Sequence, residues 1–320
     1  MIPALALLGY AAGAAWLIPA LLTPLTSRGQ SARAGLAAWL AAMASVLAAA
    51  ALAVQFSLRT VAADWPRLTQ ALCQSVAGGA CTPAVYRSVL YQAGLAALAV
   101  ALTLSAVVAA ARYGRRVRRS RAQTRSHART ALLVGRALTG SPGQRTVVLD
   151  DPRPAAYCAA GRPAAIVVTS GALAVLDPPQ LSAVLAHERA HLAGRHHALV
   201  TVVRGLAAAF PGVPLFTRGA AEVDRLAEMS ADDAAARSAG RSTVAAALLA
   251  LATGCRVPVP GTGPARLPVT LAAAAHAVPA RVDRLLAPSR PAAAGRAAAA
   301  LATAAVLLVA APSVLTALLG

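Results

Sequence analysis

Four stretches of this chain carry no charged side chain: Met1–Ser27, Ala34–Leu58, Ser88–Ala111 and Ala297–Gly320. Each reaches the roughly 20 residues that a helix needs to cross a bilayer. Within hydrocarbon the backbone must satisfy its own hydrogen bonds, so each stretch is predicted to be a spanning helix. One Ala-rich stretch alone would read as a buried helix of a soluble protein. Four of them, in a chain of mean hydropathy +0.62, read as membrane spans. Pro3, Pro19 and Pro24 lie in the first, which predicts that its helix ends near Pro19 or Leu22. That stretch lacks the basic start of a cleaved signal peptide, and its apolar run is too long for one.

Composition narrows the class further. Hydrophobic residues make up 58% of the chain and charged residues 13%, about half the usual soluble share. So apolar a chain can bury surface, which excludes disorder. With four Cys and no Gly period, it is neither a disulfide-dense nor a collagen-like scaffold.

All 30 basic residues are Arg, against 11 acids, for a net charge of +19. Their distribution sets an expected orientation. Arg28 and Arg33 follow the first stretch, eight Arg and no acid fill Arg112–Arg129, and Arg281, Arg284, Arg290 and Arg296 precede the last. The positive-inside rule puts these segments in the cytoplasm, and both termini and the 59–87 connection outside. Cys73 and Cys81 fall in that outer loop, where a disulfide can persist, while Cys158 and Cys255 fall inside, where thiols stay free. The Arg112–Arg129 run abuts a span and holds one aromatic, so anionic headgroups explain it better than nucleic acid does.

Ten of the eleven acids lie between Asp150 and Asp283, marking one soluble domain over 130–290. Thr146–Leu149 and Ala164–Thr169 read as strands. Asp177-Pro178-Pro179-Gln180 reads as a capped helix start, with the helix running to about Ala193 and Gly194 ending it. The apolar run His196–Phe216, interrupted by Arg204, Pro211 and Pro214, is expected to be core or interfacial. Helices are expected over Ala220–Ala239 and Ser242–Cys255.

The chemistry sits on the first of these helices. His187-Glu188-Arg189-Ala190-His191 is H-E-x-x-H, whose i, i+4 spacing puts two imidazoles on one face within reach of one Zn²⁺. Glu188 beside them can take a proton from an activated water. A catalytic zinc needs a third protein ligand. Glu228 and Asp232 share a face of the next helix. Glu228 is the candidate third ligand, and Asp232 the acceptor for a ligating imidazole's second nitrogen. Glu222 and Asp224 are rival ligands. His196 or His197 could stabilise an oxyanion. Asp233 reads as a surface residue or a helper of unspecified role, and His127 and His276 carry no specific signal.

Taken together, Ala156–Gly161, Ile166–Gly171, Leu181–His191 and Glu228-x-x-Ala231-Asp232 resemble the gluzincin membrane peptidases. The nearest pattern is the BlaR/MecR type; HtpX-type and CAAX prenyl proteases share the two zinc blocks. The resemblance implies a multi-pass α-helical membrane protein with four transmembrane helices and an inserted α+β gluzincin-like zinc peptidase domain. It implies that His187, His191 and Glu228 bind zinc, with Glu188 the general base. It also implies that the strand near Ile166 is the edge strand that pairs with an extended substrate. BlaR/MecR proteins continue into an extracellular penicillin-binding sensor, whereas this sequence ends at Gly320, so no sensor of that kind is expected. Arg189 stands where relatives often carry an apolar residue.

The expected function is a zinc endopeptidase embedded in a bacterial cell membrane. It would cleave a protein or peptide substrate at the cytoplasmic face, a transcriptional repressor by resemblance. The alternatives are membrane protein quality control and a non-catalytic zinc-stabilised signalling scaffold. The sequence specifies neither an oligomeric state nor an activating signal.

Overall fold

The computed structural model describes residues 2–27, 29, 31–76, 83–138, 145–159, 164–258, 278–287 and 291–319. The readings for Cys81 and His276, and for the side chains of Cys73 and His127, lie outside the described residues.

Helix α1 spans Ile2–Thr26 and runs through Pro19 and Pro24 rather than stopping there. In an apolar setting a broken helix would leave far more backbone groups without partners than the proline itself does, so a helix continues where a solvated one would break. Helix α2, Ala32–Val76, is 45 residues long, or roughly 68 Å at 1.5 Å per residue. That is about twice the hydrocarbon thickness. Most of the outer loop read at 59–87 is therefore helical, because Arg, Leu, Ala and Gln are good helix formers and no glycine intervenes before Gly78. Helix α3, Pro83–Val134, contains both the expected third span and the basic run, which is likewise helical. The last apolar stretch forms α10, Pro291–Leu319. Among the described residues, three helices are long and apolar enough to cross a membrane: Pro3–Thr26, Ala32–Pro66 and Ala292–Leu318.

Between α3 and α10 lies a small sheet with helices on it. Strands β1 (Arg136–Ala137), β2 (Thr146–Leu149), β3 (Ala156–Ala159) and β4 (Ala165–Thr169) are ordered β1-β2-β4-β3. β2 and β4 run parallel; β1 and β3 pair antiparallel at the edges. The Ile166-Val167-Val168 run is interior and fully buried, so it is not the edge strand expected of it. Its β-branched side chains suit a strand covered on both faces. The edge is β3, a strand of ordinary composition.

Helices α4 (Ser170–Val175), α5 (Pro178–Ala193), α6 (His196–Ala209), α7 (Pro214–Ala239), α8 (Arg241–Thr253) and α9 (Val278–Leu286) follow. α5 starts with the expected capping box: Asp177 Oδ1 accepts from Gln180 N at 2.8 Å and Gln180 Oε1 from Asp177 N at 3.2 Å. It ends at Ala193 with Gly194 as its cap, as expected, but the left-handed residue is the next one. Gly194 stays right-handed, and Arg195 takes the left-handed turn with φ 49°. Gly194 is needed for space instead, since a Cβ there would collide with the His196 ring.

Helices α5–α9 are not a body apart from the long apolar helices. Leu215, Phe216, Val223, Leu226 and Met229 of α7 share one core with Leu7, Ile18, Trp39 and Met43 of α1 and α2. Gly219 of α7 lies directly against Trp39 and Met43, where any Cβ would overlap the Met43 side chain. A second core joins β4, α5 and α8 around Ile166, Val184 and Ala250.

Candidate metal centre

α5 and α7 cross so that their chemistry-bearing faces meet. His187 Nε2 and His191 Nε2 are 3.0 Å apart. Glu228 Oε2 lies 3.6 Å from the first, and Oε1 3.4 Å from the second. Among the described residues, these three form the group whose ligand atoms lie within 4.8 Å of one another. Donors at zinc distances of about 2.0–2.1 Å in tetrahedral geometry stand about 3.3 Å apart. The donor set, two imidazole nitrogens and one carboxylate, and its spacing therefore fit zinc.

Both imidazoles are held from behind. His187 Nδ1 stands 3.1 Å from Asp232 Oδ1, off line for a straight hydrogen bond. Asp232 is fully buried and is clamped by Arg281 of α9, whose Nε and Nη2 donate to its two oxygens at 2.8 and 2.6 Å. Arg281 Nη1 also reaches Glu228 Oε2 at 2.9 Å, so one guanidinium orients two of the acids. His191 Nδ1 lies 3.0 Å from His196 Nδ1.

The electrostatics follow from these neighbours. Burial would raise the carboxyl pKa of Asp232, but Arg281 and His187 pull it down to about 2. Burial likewise opposes charge on His187, but Asp232 and Glu228 outweigh it and raise its pKa to about 9. His191 is lowered to about 4 by burial and by the positive charge on His187. Glu188, buried at 7% exposure, is pushed up by that burial, while the neighbouring His187 charge and Cys158 of β3 restrain the rise. A carboxylate so raised is a stronger base nearer neutral pH than an exposed one.

The rival ligands are engaged elsewhere. Glu222 accepts from Thr26 at 3.2 Å and from Arg225 at 2.7 Å, tying α7 to the end of α1. Asp224 pairs with Arg204 at 2.6 Å. Asp233 accepts both bonds from Arg284 Nη2, at 2.6 and 2.7 Å, and Arg284 Nε donates to Gly29 O in the α1–α2 turn. Arg281 was legible in sequence only as a topological charge. Its partner lies 49 residues away, and the one local sign is its place beside Val282 and Leu285 on the buried face of α9.

The centre opens into a cleft of about 870 Å³, walled by β3, α5, α6 and α7. A helix-borne H-E-x-x-H pair, closed by a glutamate from the next long helix, beside a cleft and an edge strand, defines the metallopeptidase class of site. Residues 120–213 match the family described as Peptidase family M48. A "Protease HtpX homolog" of Acidiphilium cryptum (strain JF-5) is 40% identical over 72 residues, 22% of this chain and 25% of that one. Another, of Tropheryma whipplei (strain Twist), is 37% identical over 73 residues, with the same coverage. The matched region thus spans about a quarter of the length of these curated relatives. No solved structure matches. Over this segment the chain is similar to Peptidase family M48 and to proteases of the HtpX kind. Glu228 lies beyond the matched segment, so its part in the centre rests on geometry.

Proposed function

We propose that this chain is a zinc-dependent endopeptidase that hydrolyses peptide bonds in the cleft beside α5, at the cytoplasmic face of the membrane. The observation that carries this reading is the convergence of His187, His191 and Glu228 on one point with buried Glu188 alongside. Bound zinc would supply a Lewis acid that acidifies water and polarises a peptide carbonyl. The chain's own residues do the rest. Glu188 takes the proton of the attacking water and returns it to the leaving amine. Asp232 and His196 hold the two imidazoles by their second nitrogens. β3 offers its outer main-chain groups to an extended substrate. The register pairs Tyr157 with Val167, which leaves the Ala156 N–H on the free edge.

Two substrate classes suit the site. The BlaR/MecR resemblance implies a cytoplasmic repressor. Quality control of membrane proteins is favoured by the position of the cleft, since α6 and α7 wall it while packing on α1 and α2.

The test compares the wild type with Glu188→Gln, purified in detergent, on an unfolded polypeptide. The variant should keep its zinc and lose at least about 10²-fold in kcat/KM. Equal cleavage by both would remove Glu188 from the mechanism. Crosslinking of substrates trapped on the variant separates a repressor from unfolded membrane proteins.

A further inference from the structure

Behind the motif helix lies another cavity, of about 570 Å³, that the peptidase reading does not use. Such a volume falls in the range of small-ligand sites, about 300–1,000 Å³. Ala186, Arg189, Ala190 and Ala193 line it, a second face of α5 at i, i+3, i+4, i+7 spacing. The opposite walls come from the first turn of α2, from α6 and from α7. Arg33, Arg189 and Arg237 bring three guanidinium groups to it, and no acid is among its lining residues. Ser230 adds a buried hydroxyl, and Leu36 and Leu199 add apolar wall.

Forked guanidinium donors match the oxygens of a phosphate bidentately. Partial enclosure by low-dielectric walls strengthens that attraction over its value in open water. The cavity's place adds the source. Arg33 lies in the first turn of α2, and the apolar stretch that follows is long enough to cross a bilayer. If α1 and α2 run as the arginines imply, the cavity mouth lies level with the cytoplasmic headgroups, where anionic lipid concentrates.

We propose that the Arg33–Arg189–Arg237 cavity binds the phosphate of an anionic phospholipid headgroup from the cytoplasmic leaflet. It gives a role to Arg189, the charged residue of the H-E-x-x-H block that the hydrolytic reading does not use. His196 lines this cavity as well as the cleft, so a bound headgroup would lie one side chain from His191.

The experiment uses the full chain in neutral detergent micelles, titrated with fluorescent short-chain phosphatidylglycerol. Phosphatidylcholine and inorganic phosphate serve as competitors. The double variant Arg33→Gln/Arg237→Gln should weaken phosphatidylglycerol binding about tenfold or more. Arg153→Gln/Arg256→Gln, which removes the same charge from exposed positions outside this cavity, should change it less than about threefold. Arg189→Gln alone gives a second reading should the double variant lose its zinc or its monodispersity. Equal losses in the two double variants, or equal affinity for phosphatidylcholine, would overturn the site. Displacement by inorganic phosphate at concentrations equal to the lipid would overturn the lipid source.

Discussion

Arg281 is the residue on which the centre's order depends, because its one guanidinium reaches both Asp232 and Glu228 at 2.6 and 2.9 Å. Arg281→Met would leave a buried carboxylate without its ionic partner. The expected cost is about 3–5 kcal/mol in thermal unfolding, with about 10–100-fold weaker zinc binding in a chelator competition. Acid–base behaviour belongs to the same scale. The folded pKa of His187, about 9, lies above the free value of about 6.5. Its contribution to stability is complete below about pH 6.5 and is lost as pH rises through about 9. His191, at about 4, has the opposite sign: the unfolded chain binds its proton first, so stability falls as pH drops from about 6.5 toward 4. Metal-free protein should therefore be most stable near pH 6.5, with a melting temperature that declines on both sides; a plateau from pH 5 to 9 would contradict the assignment. Cys158 offers a third check. Burial and the Glu188 charge push its thiol up to about 12, while Cys255 is exposed. Iodoacetamide at pH 8 should label Cys255 and spare Cys158 in residue-resolved mass spectrometry.

At the scale of elements, β3 decides how a substrate would lie. It is the sheet edge nearest α5, and Ala156, Tyr157 and Cys158 line the cleft. An edge strand tolerates proline when its N–H faces outward. Ala156→Pro should then leave fold and zinc content intact. It should lower kcat/KM on long peptides about tenfold, the value of one main-chain hydrogen bond, and change cleavage of short peptides little. Equal loss on both lengths would mean that β3 only walls the cleft. α7 joins the two halves of the molecule: its early turns carry Gly219 against Trp39 and Met43, and its later turns carry Glu228 and Asp232. The metal centre is thus built on a helix anchored to the membrane helices, which gives it a rigid frame.

Considered as a whole, the chain is an arginine-only protein whose positive segments should face the cytoplasm. In a chain whose own cysteines are replaced by Ser, Ser238→Cys lies at the end of α7 that carries the candidate site and Gln70→Cys beyond the α2 apolar stretch. A membrane-impermeant maleimide should label Gln70→Cys in intact cells and Ser238→Cys only after lysis. The reverse pattern would turn the peptidase outward and remove the cytoplasmic-leaflet argument for the arginine cavity.

Local physics made much of this readable before any coordinates. The apolar stretches, the Asp177–Gln180 capping box, the strands at Thr146 and Ile166 and the i, i+4 spacing of His187 and His191 each depend on residues within a few positions of one another. Hydropathy and helical periodicity are short-range, so they survive in a one-dimensional string. Three features were not legible there. Arg281 meets Asp232 across 49 residues, β4 is interior because β3 folds back beside it, and Arg33 joins Arg189 and Arg237 only when α2 and α5 both pack on α7. Charges and strand edges acquire a meaning from what lies opposite them, and that is settled by packing between segments far apart in the chain.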